Sequence, residues 1–279
     1  MAVELSDKMV EIANKNIYGQ FYSQNNSNNK ITKFFNYILI LKLRVKVYSI
    51  NIYRKFIRKI STFKNDKFSN IEIRTNIVQN SDLIKDQINK KGYLFLENFL
   101  NHEFYKFLND NFPKKNLLNK SKSPLKNYNI GFIYLKNERN PDLKSSKVLD
   151  ELYKFITSSK FENQVNEIFN LKEKKLYFKN IITSIAEPNS FLIPHKDHIS
   201  IESNDLNINF IYFVDGNQDN LEYSGATCIY EDNNAETTLL KPKTLKNSLL
   251  IYDNTKHFFH GFKVMKENCF RKAISFQFN

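Results

Sequence analysis

From residue 175 onward the sequence breaks into eight short β-prone runs: KLYFKNIITSIA, FLIPHKDHI, INFIYFVDG, ATCIYE, TTLLKPK, SLLIYDN, HFFHGFKV and RKAISFQF. Asn, Asp, Gly and Pro separate them. Each run is short, rich in β-branched and aromatic residues, and flanked by residues that favour turns. Eight such strands in a row leave many unpaired edges unless the sheet closes, as it does in a sandwich or a barrel. This segment limits the possible folds more than any other.

The preceding hundred residues have a different texture. Ser81 serves as N-cap of a helix that the KKGY break ends at Gly92. YLFLENFL then reads as a short strand, and a second helix begins after Asn101. Residues 113–145 are loop-rich, and helices return over 147–170. Further upstream, residues 1–18 form an amphipathic pattern followed by the polar linker SQNNSNNK. Residues 31–60 mix large apolar side chains with Lys and Arg. Ile52, Phe56 and Ile60 recur every four positions, with Arg54, Lys55, Arg58 and Lys59 between them. A basic amphipathic segment of this kind is a docking helix with its lysines in water, or a contact for an anionic membrane surface or an acidic partner. The stretch FKNDKFSN marks a boundary. The chain thus divides into a basic helical extension over 1–70, a helical and loop-rich support region over 71–174 and a β-rich core over 175–279. The fold class is α+β.

With 279 residues, 41% of them hydrophobic, and with 25 Phe and 15 Tyr, the chain can bury a sizeable core. No stretch reaches the roughly 18 to 20 uncharged apolar residues of a membrane-spanning helix. The opening MAVELSDKMV does not match a secretory leader. Cys228 and Cys269 are the only cysteines, with no C-x-x-C spacing. That argues against a disulfide framework or a thiolate zinc site, and it fits a reducing cytoplasm with a membrane-peripheral variant left open by residues 31–60. The net charge of +13 gathers at the N-terminus, where residues 1–80 carry 14 Lys or Arg against 5 Asp or Glu. No zinc-finger, helix-turn-helix or RNA-binding aromatic signature accompanies it, so nucleic acid is not an expected partner.

The chemistry concentrates in FLIPHKDHIS, residues 191–200, which holds two of the five histidines. On a strand, His195 and Asp197 point to the same face while Lys196 points away. An imidazole and a carboxylate on one face can hold two adjacent corners of a metal. A second histidine from a distant strand would complete a two-histidine, one-carboxylate set of the kind that binds non-haem Fe(II). The C-terminal run SLLIYDNTKHFFHGFKVMKENCFRKAISFQFN offers His257 and His260. Three residues apart, they face opposite sides of a regular strand, so only one can enter the site. His198 has the wrong parity and reads as a loop or substrate-facing residue, and His102 as a surface or capping residue. Gly225, which opens ATCIYE, reads either as a close-approach position or as an ordinary turn residue.

The segments HKD, INFIYFVDG, YSGATCIYED, SLLIYDN, HG and RKAISF follow one another in an ordered series. In that order and spacing the sequence resembles the Fe(II)/2-oxoglutarate-dependent dioxygenases, in particular their prolyl-hydroxylase-like branch. The resemblance covers residues 175–279 and, loosely, 92–112. It implies a double-stranded β-helix, the jelly-roll or cupin-like barrel. It implies His195, Asp197 and His260 as iron ligands, with His257 as the rival for the third place. It further implies that Arg271 pairs with the distal carboxylate of 2-oxoglutarate, a task for which a guanidinium fork is better shaped than an ammonium. Tyr212 and Ser275 are the implied hydrogen-bonding helpers. Arg271, Ala273, Ser275 and Gln277 share one face of their strand, with Ile274, Phe276 and Phe278 packing on the other.

The implied cofactors are Fe(II), 2-oxoglutarate and O2, with ascorbate as a reductant. The implied reaction is hydroxylation of an amino acid or prolyl group, a sugar or a lipid-linked intermediate, presented as a small molecule or on a peptide or carrier. Relatives that halogenate carry a small residue in place of the carboxylate, so Asp197 favours hydroxylation. Two departures stand out: Ile185 and Ala186 lie where relatives often have Tyr or Asn, and Ala273 lies where many have Ser. A cupin-like binding module without turnover is the alternative reading.

Overall fold

The computed structural model describes residues 71–115, 118–123, 126–135, 146–169, 175–197, 206–256 and 258–279. The basic extension over 1–70, including the amphipathic segment 31–60, lies outside the described residues, as do His198 and His257.

In chain order the elements are α1 (Ser81–Lys91), β1 (Tyr93–Glu97), α2 (His102–Asp110), β2 (Asn119–Ser123), β3 (Lys126–Leu135), α3 (Lys147–Ile156), α4 (Ser159–Phe169), β4 (Phe178–Ala186), β5 (Phe191–His195), β6 (Ile208–Gly216), β7 (Cys228–Tyr230), β8 (Thr238–Leu240), β9 (Ser248–Asp253), β10 (Phe259–Phe262) and β11 (Arg271–Phe278). The eight runs read from the sequence correspond to β4 through β11. Gly92 ends α1 with φ +82°, donating its N–H to the Gln87 and Ile88 carbonyls, which is the left-handed cap that glycine accepts without strain. Ser81 is the first residue of α1 rather than its cap: Asn80 holds the cap position, without a side-chain capping bond. The segment 113–145 is more regular than its composition suggests, because β2 and β3 form a hairpin within it and β3 pairs along β4. Its Lys and Asn content hides the strand pattern, and β3 gains its order from a partner more than 40 residues away in sequence.

All strand pairings are antiparallel, in the ladder order β1-β9-β6-β11-β4-β3-β5-β10-β7-β8, with β2 on β3. The central strands β4, β6, β9 and β11 are buried on both faces, which explains their nearly continuous apolar sequences. On one face Phe210, Phe276 and Phe278 meet Phe178 and, from α4, Phe161, with ring centroids 4.8 to 6.4 Å apart. On the other face Ile211, Phe213, Leu250, Tyr252 and Ala273 cluster with Ala226 and Ile229. Strand β3 pairs with β4 along most of its length and with β5 through Lys126 and Asn127, so it carries the ladder from one half of the strands to the other. The halves then face each other. Asn209 of β6 bonds Asp197, which follows β5, and Arg271 of β11 bonds Gly225 and Thr227, which precede β7. Between them lies a cavity of about 380 Å3. The result is an antiparallel α+β fold with helices against one face of the central strands.

Candidate metal centre

β5 ends on His195, with Asp197 two residues further on. Antiparallel pairing of β10 with β5 sets His260 opposite His195, with their rings 4.4 Å apart. The close approach depends on Gly261. A Cβ there would strike the Leu192 carbonyl oxygen and lie 2.9 Å from the Pro194 nitrogen. The glycine after His260 is thus a requirement of the β10–β5 contact.

The Nε2 atoms of His195 and His260 stand 3.6 and 3.7 Å from the same oxygen, Asp197 Oδ1. Donor atoms of the three side chains all lie within 4.8 Å of one another. These distances are too long for hydrogen bonds, so the donors converge without pairing, as groups do around a shared cation. His195 Nδ1 sits 2.9 Å from the Ile193 carbonyl oxygen, which assigns the ring N–H to Nδ1 and leaves the Nε2 lone pair facing the cluster. Asp197 Oδ2 accepts a hydrogen bond of 2.8 Å from Asn209 Nδ2.

The electrostatics suit such a role. His260 is 5% exposed, and burial pushes its pKa down to about 4, with the charge of Asp197 opposing and that of His195 adding, so its imidazole is neutral. Burial also works against the charged form of His195. There the contact with Asp197, the Ile193 carbonyl and the carboxylate charge outweigh burial and raise the pKa. For Asp197 burial is again opposed, by His195, His260 and Asn209, and the carboxyl is held well below the usual carboxylate range. Two imidazoles and one ionised carboxylate, converging with no fourth His, Cys, Asp or Glu donor among the described residues, form the donor set that suits Fe(II) with open positions. The residues fit the metal.

At the other end of the cavity Arg271 begins β11, 4% exposed. Its Nη1 donates to the Gly225 carbonyl at 2.8 Å and to Thr227 Oγ1 at 3.1 Å, and its guanidinium lies 4.4 Å over the Phe262 ring. Burial pulls its pKa down to about 10, with Tyr128 opposing. Its Nε is buried without a partner, and among the described residues no carboxylate pairs with the guanidinium. A buried cation with unspent donors is costly unless an anion meets it. Such a site fits a carboxylate.

His195, Asp197, His260, Arg271 and Ser275 all line the one cavity. Tyr212 does not. Alternation along β6 turns Asn209, Ile211 and Phe213 toward the cavity side and Tyr212 away. The Tyr212 ring packs on Phe99 with centroids 5.1 Å apart, and its hydroxyl donates to Asn247 Oδ1 at 3.1 Å. Tyr212 as a helper to the cosubstrate carboxylate is therefore corrected: it ties the sheet to the segment before α2. Ser275 lines the same cavity. It shares the Arg271 face, but four residues along a strand is about 13 Å, and Thr227 is the hydroxyl beside the guanidinium. Besides Thr227, the polar cavity residues Asn209, Tyr128 and Tyr252 were not singled out by sequence reasoning. Their only signal was parity, since Asn209 shares the face of Ile211 and Phe213, and it becomes readable only once the strand pairing is known. Tyr128 lies on β3, the strand hidden in the loop-rich segment.

The fold is that of the 2-oxoglutarate/Fe(II) oxygenases, and within them of the prolyl-hydroxylase-like kind. Among solved structures, a Pseudomonas putida prolyl-4-hydroxylase matches with a TM-score of 0.52 at 10% identity, over 71% of this chain and 98% of its own. A Trichoplax adhaerens prolyl hydroxylase, solved with a peptide fragment of the hypoxia inducible factor oxygen degradation domain, matches with a TM-score of 0.50 at 14% identity, over 72% and 89%. A 2OG-Fe(II) oxygenase family oxidoreductase from Burkholderia pseudomallei gives 0.51 at 10%, over 71% and 90%. No protein-family model and no curated protein sequence matches the chain. The likeness is one of fold.

Proposed function

We propose that this protein is an Fe(II)- and 2-oxoglutarate-dependent oxygenase that hydroxylates a substrate in the cavity of a double-stranded β-helix, or jelly-roll, core. One observation carries the reading: a two-histidine, one-carboxylate cluster shares a single cavity with a buried arginine that pairs with no carboxylate among the described residues. In this reading His195, Asp197 and His260 hold the metal from one side. Arg271 receives the distal carboxylate of 2-oxoglutarate, and the Gly225 carbonyl, the Thr227 hydroxyl and the Phe262 ring fix the plane of its fork. Ile182, Leu192 and Ile211 supply the apolar part of the cavity lining. When bound, Fe(II) with 2-oxoglutarate and O2 supplies the oxidising chemistry, while the protein supplies ligation and orientation. The Asp197 carboxylate fills a ligand place, which favours hydroxylation over halogen transfer.

The substrate belongs to one of three classes: an amino-acid or prolyl group, a sugar, or a lipid-linked intermediate. The peptide bound by the Trichoplax adhaerens neighbour supports the first. Anaerobic calorimetry with Fe(II)-loaded protein tests the reading. 2-Oxoglutarate should bind the wild type, and Arg271→Gln should weaken it by roughly ten- to a hundredfold, the value of charge-assisted hydrogen bonds. Absence of binding to folded, metal-loaded wild type would contradict it.

A further inference from the structure

Asp197 lies just beyond the last residue of β5, outside that strand's ladder. Among the described residues, the single hydrogen bond that fixes its carboxylate comes from Asn209 Nδ2, 2.8 Å from Oδ2. Asn209 sits near the start of β6, a central strand, paired with Tyr252 of β9 on one side and Gln277 of β11 on the other. Its backbone is therefore among the most firmly held in the sheet. An ionised carboxylate only accepts hydrogen bonds, so a carboxamide at 2.8 Å must present its N–H to it. The second N–H of the same nitrogen goes to the Tyr252 hydroxyl oxygen at 2.9 Å. Both hydrogens are thus spent in fixed directions, and the carboxamide cannot turn over without losing both bonds. Tyr252 is buried, and its ring lies 5.0 Å from that of His260.

We propose that Asn209, anchored on Tyr252, is the positioning residue that makes Asp197 a one-oxygen ligand. It holds Oδ2 away from the metal and aims Oδ1, the oxygen both histidines face, toward it. The inference rests on the metal reading of the cluster and deepens it. A carboxylate free to chelate through both oxygens would occupy a further coordination position, and a cosubstrate that needs two positions beside O2 would lose one. Outer partners of this kind commonly set ligand orientation and metal affinity. Here the partner comes from the opposite half of the fold, so Asn209 also couples assembly of the two halves to completion of the site.

The test uses Co(II) as an air-stable probe on the full chain. Asn209→Leu keeps the side chain's approximate size and removes the donor. It should weaken Co(II) binding by about 10- to 100-fold and shift the visible Co(II) absorption, whereas Tyr252→Phe, which removes the anchor but spares the bond to Asp197, should weaken binding in the same direction by less, about 3- to 10-fold. Infrared difference spectra of the wild type upon Co(II) binding, with aspartate carboxyl carbons labelled, provide a readout that needs no variant to fold. A wide separation of the carboxylate stretches, the mark of one-oxygen ligation, is expected. A narrow, chelating separation overturns the proposal, and so does an Asn209→Leu protein that binds Co(II) with wild-type affinity and spectrum. A wild type that binds neither Co(II) nor Fe(II) refutes the metal reading itself, which is a different failure.

Discussion

His195 and His260 face the same carboxylate oxygen, yet their proton affinities are displaced in opposite directions. His260, buried, stays neutral down to about pH 4, while His195 has its charged form favoured by Asp197 and Ile193 despite partial burial. A cation must displace whatever proton the site holds. Below the raised His195 value one proton has to leave, so metal affinity falls as pH falls. His260 adds no second proton until near pH 4, and Asp197 stays ionised. Co(II) titrations between about pH 5 and 6 should therefore show close to a tenfold loss per pH unit, the slope for one proton. A hundredfold loss per unit, or none, would contradict this distribution of protons. At the same scale, His195 and Asp197 were readable as a His-x-Asp pair, although β5 ends at His195 and Asp197 reaches the cluster from just beyond it. Tyr212 was misplaced because it is one position out of phase with Asn209, Ile211 and Phe213, and a single-residue slip turns a side chain through the sheet.

The elements that carry these residues owe their pairing to small local features. β10 is only four residues long, yet it presents His260 between β5 and β7, and Gly261 is what lets it lie so close to β5. Gly261→Ala would place a methyl against the backbone of Leu192 to Pro194, which cannot yield as a side chain tip can. We expect a loss of about 1–3 kcal/mol in stability together with weaker metal binding, because separating the strands separates the two imidazoles. Denaturant melts of the metal-free protein measure the first effect. An unchanged midpoint would show that the β10–β5 contact is slack. The eight C-terminal strands were legible because each is an apolar run bounded by turn residues. β2 and β3 were not, because β3 is ordered by pairing with β4 and β5, which no local pattern announces, and β2 pairs only with β3. The aromatic contacts that seat α4 on the central strands followed the alternation of β11, with Phe276 and Phe278 on the face opposite Arg271.

Within the described residues, the antiparallel ladder brings residues far apart in sequence to a single cavity. The ligand motif His-x-Asp is local and could be read from ten residues. The Asn209 bond to Asp197 and the Thr227 bond to Arg271 span two halves of the ladder, and only the tertiary arrangement brings them together. For the same reason the metal, the cosubstrate carboxylate and the substrate should meet in this one space or not at all. The most direct test is an anaerobic titration of metal-free protein with Fe(II) and then 2-oxoglutarate, followed in the visible for the weak metal-to-ligand charge-transfer band of a chelated 2-oxoacid. The band should appear with the wild type, vanish in His260→Ala and persist in His257→Ala. A folded wild-type protein that takes up Fe(II) and 2-oxoglutarate without that band, or that binds neither, would contradict the oxygenase reading.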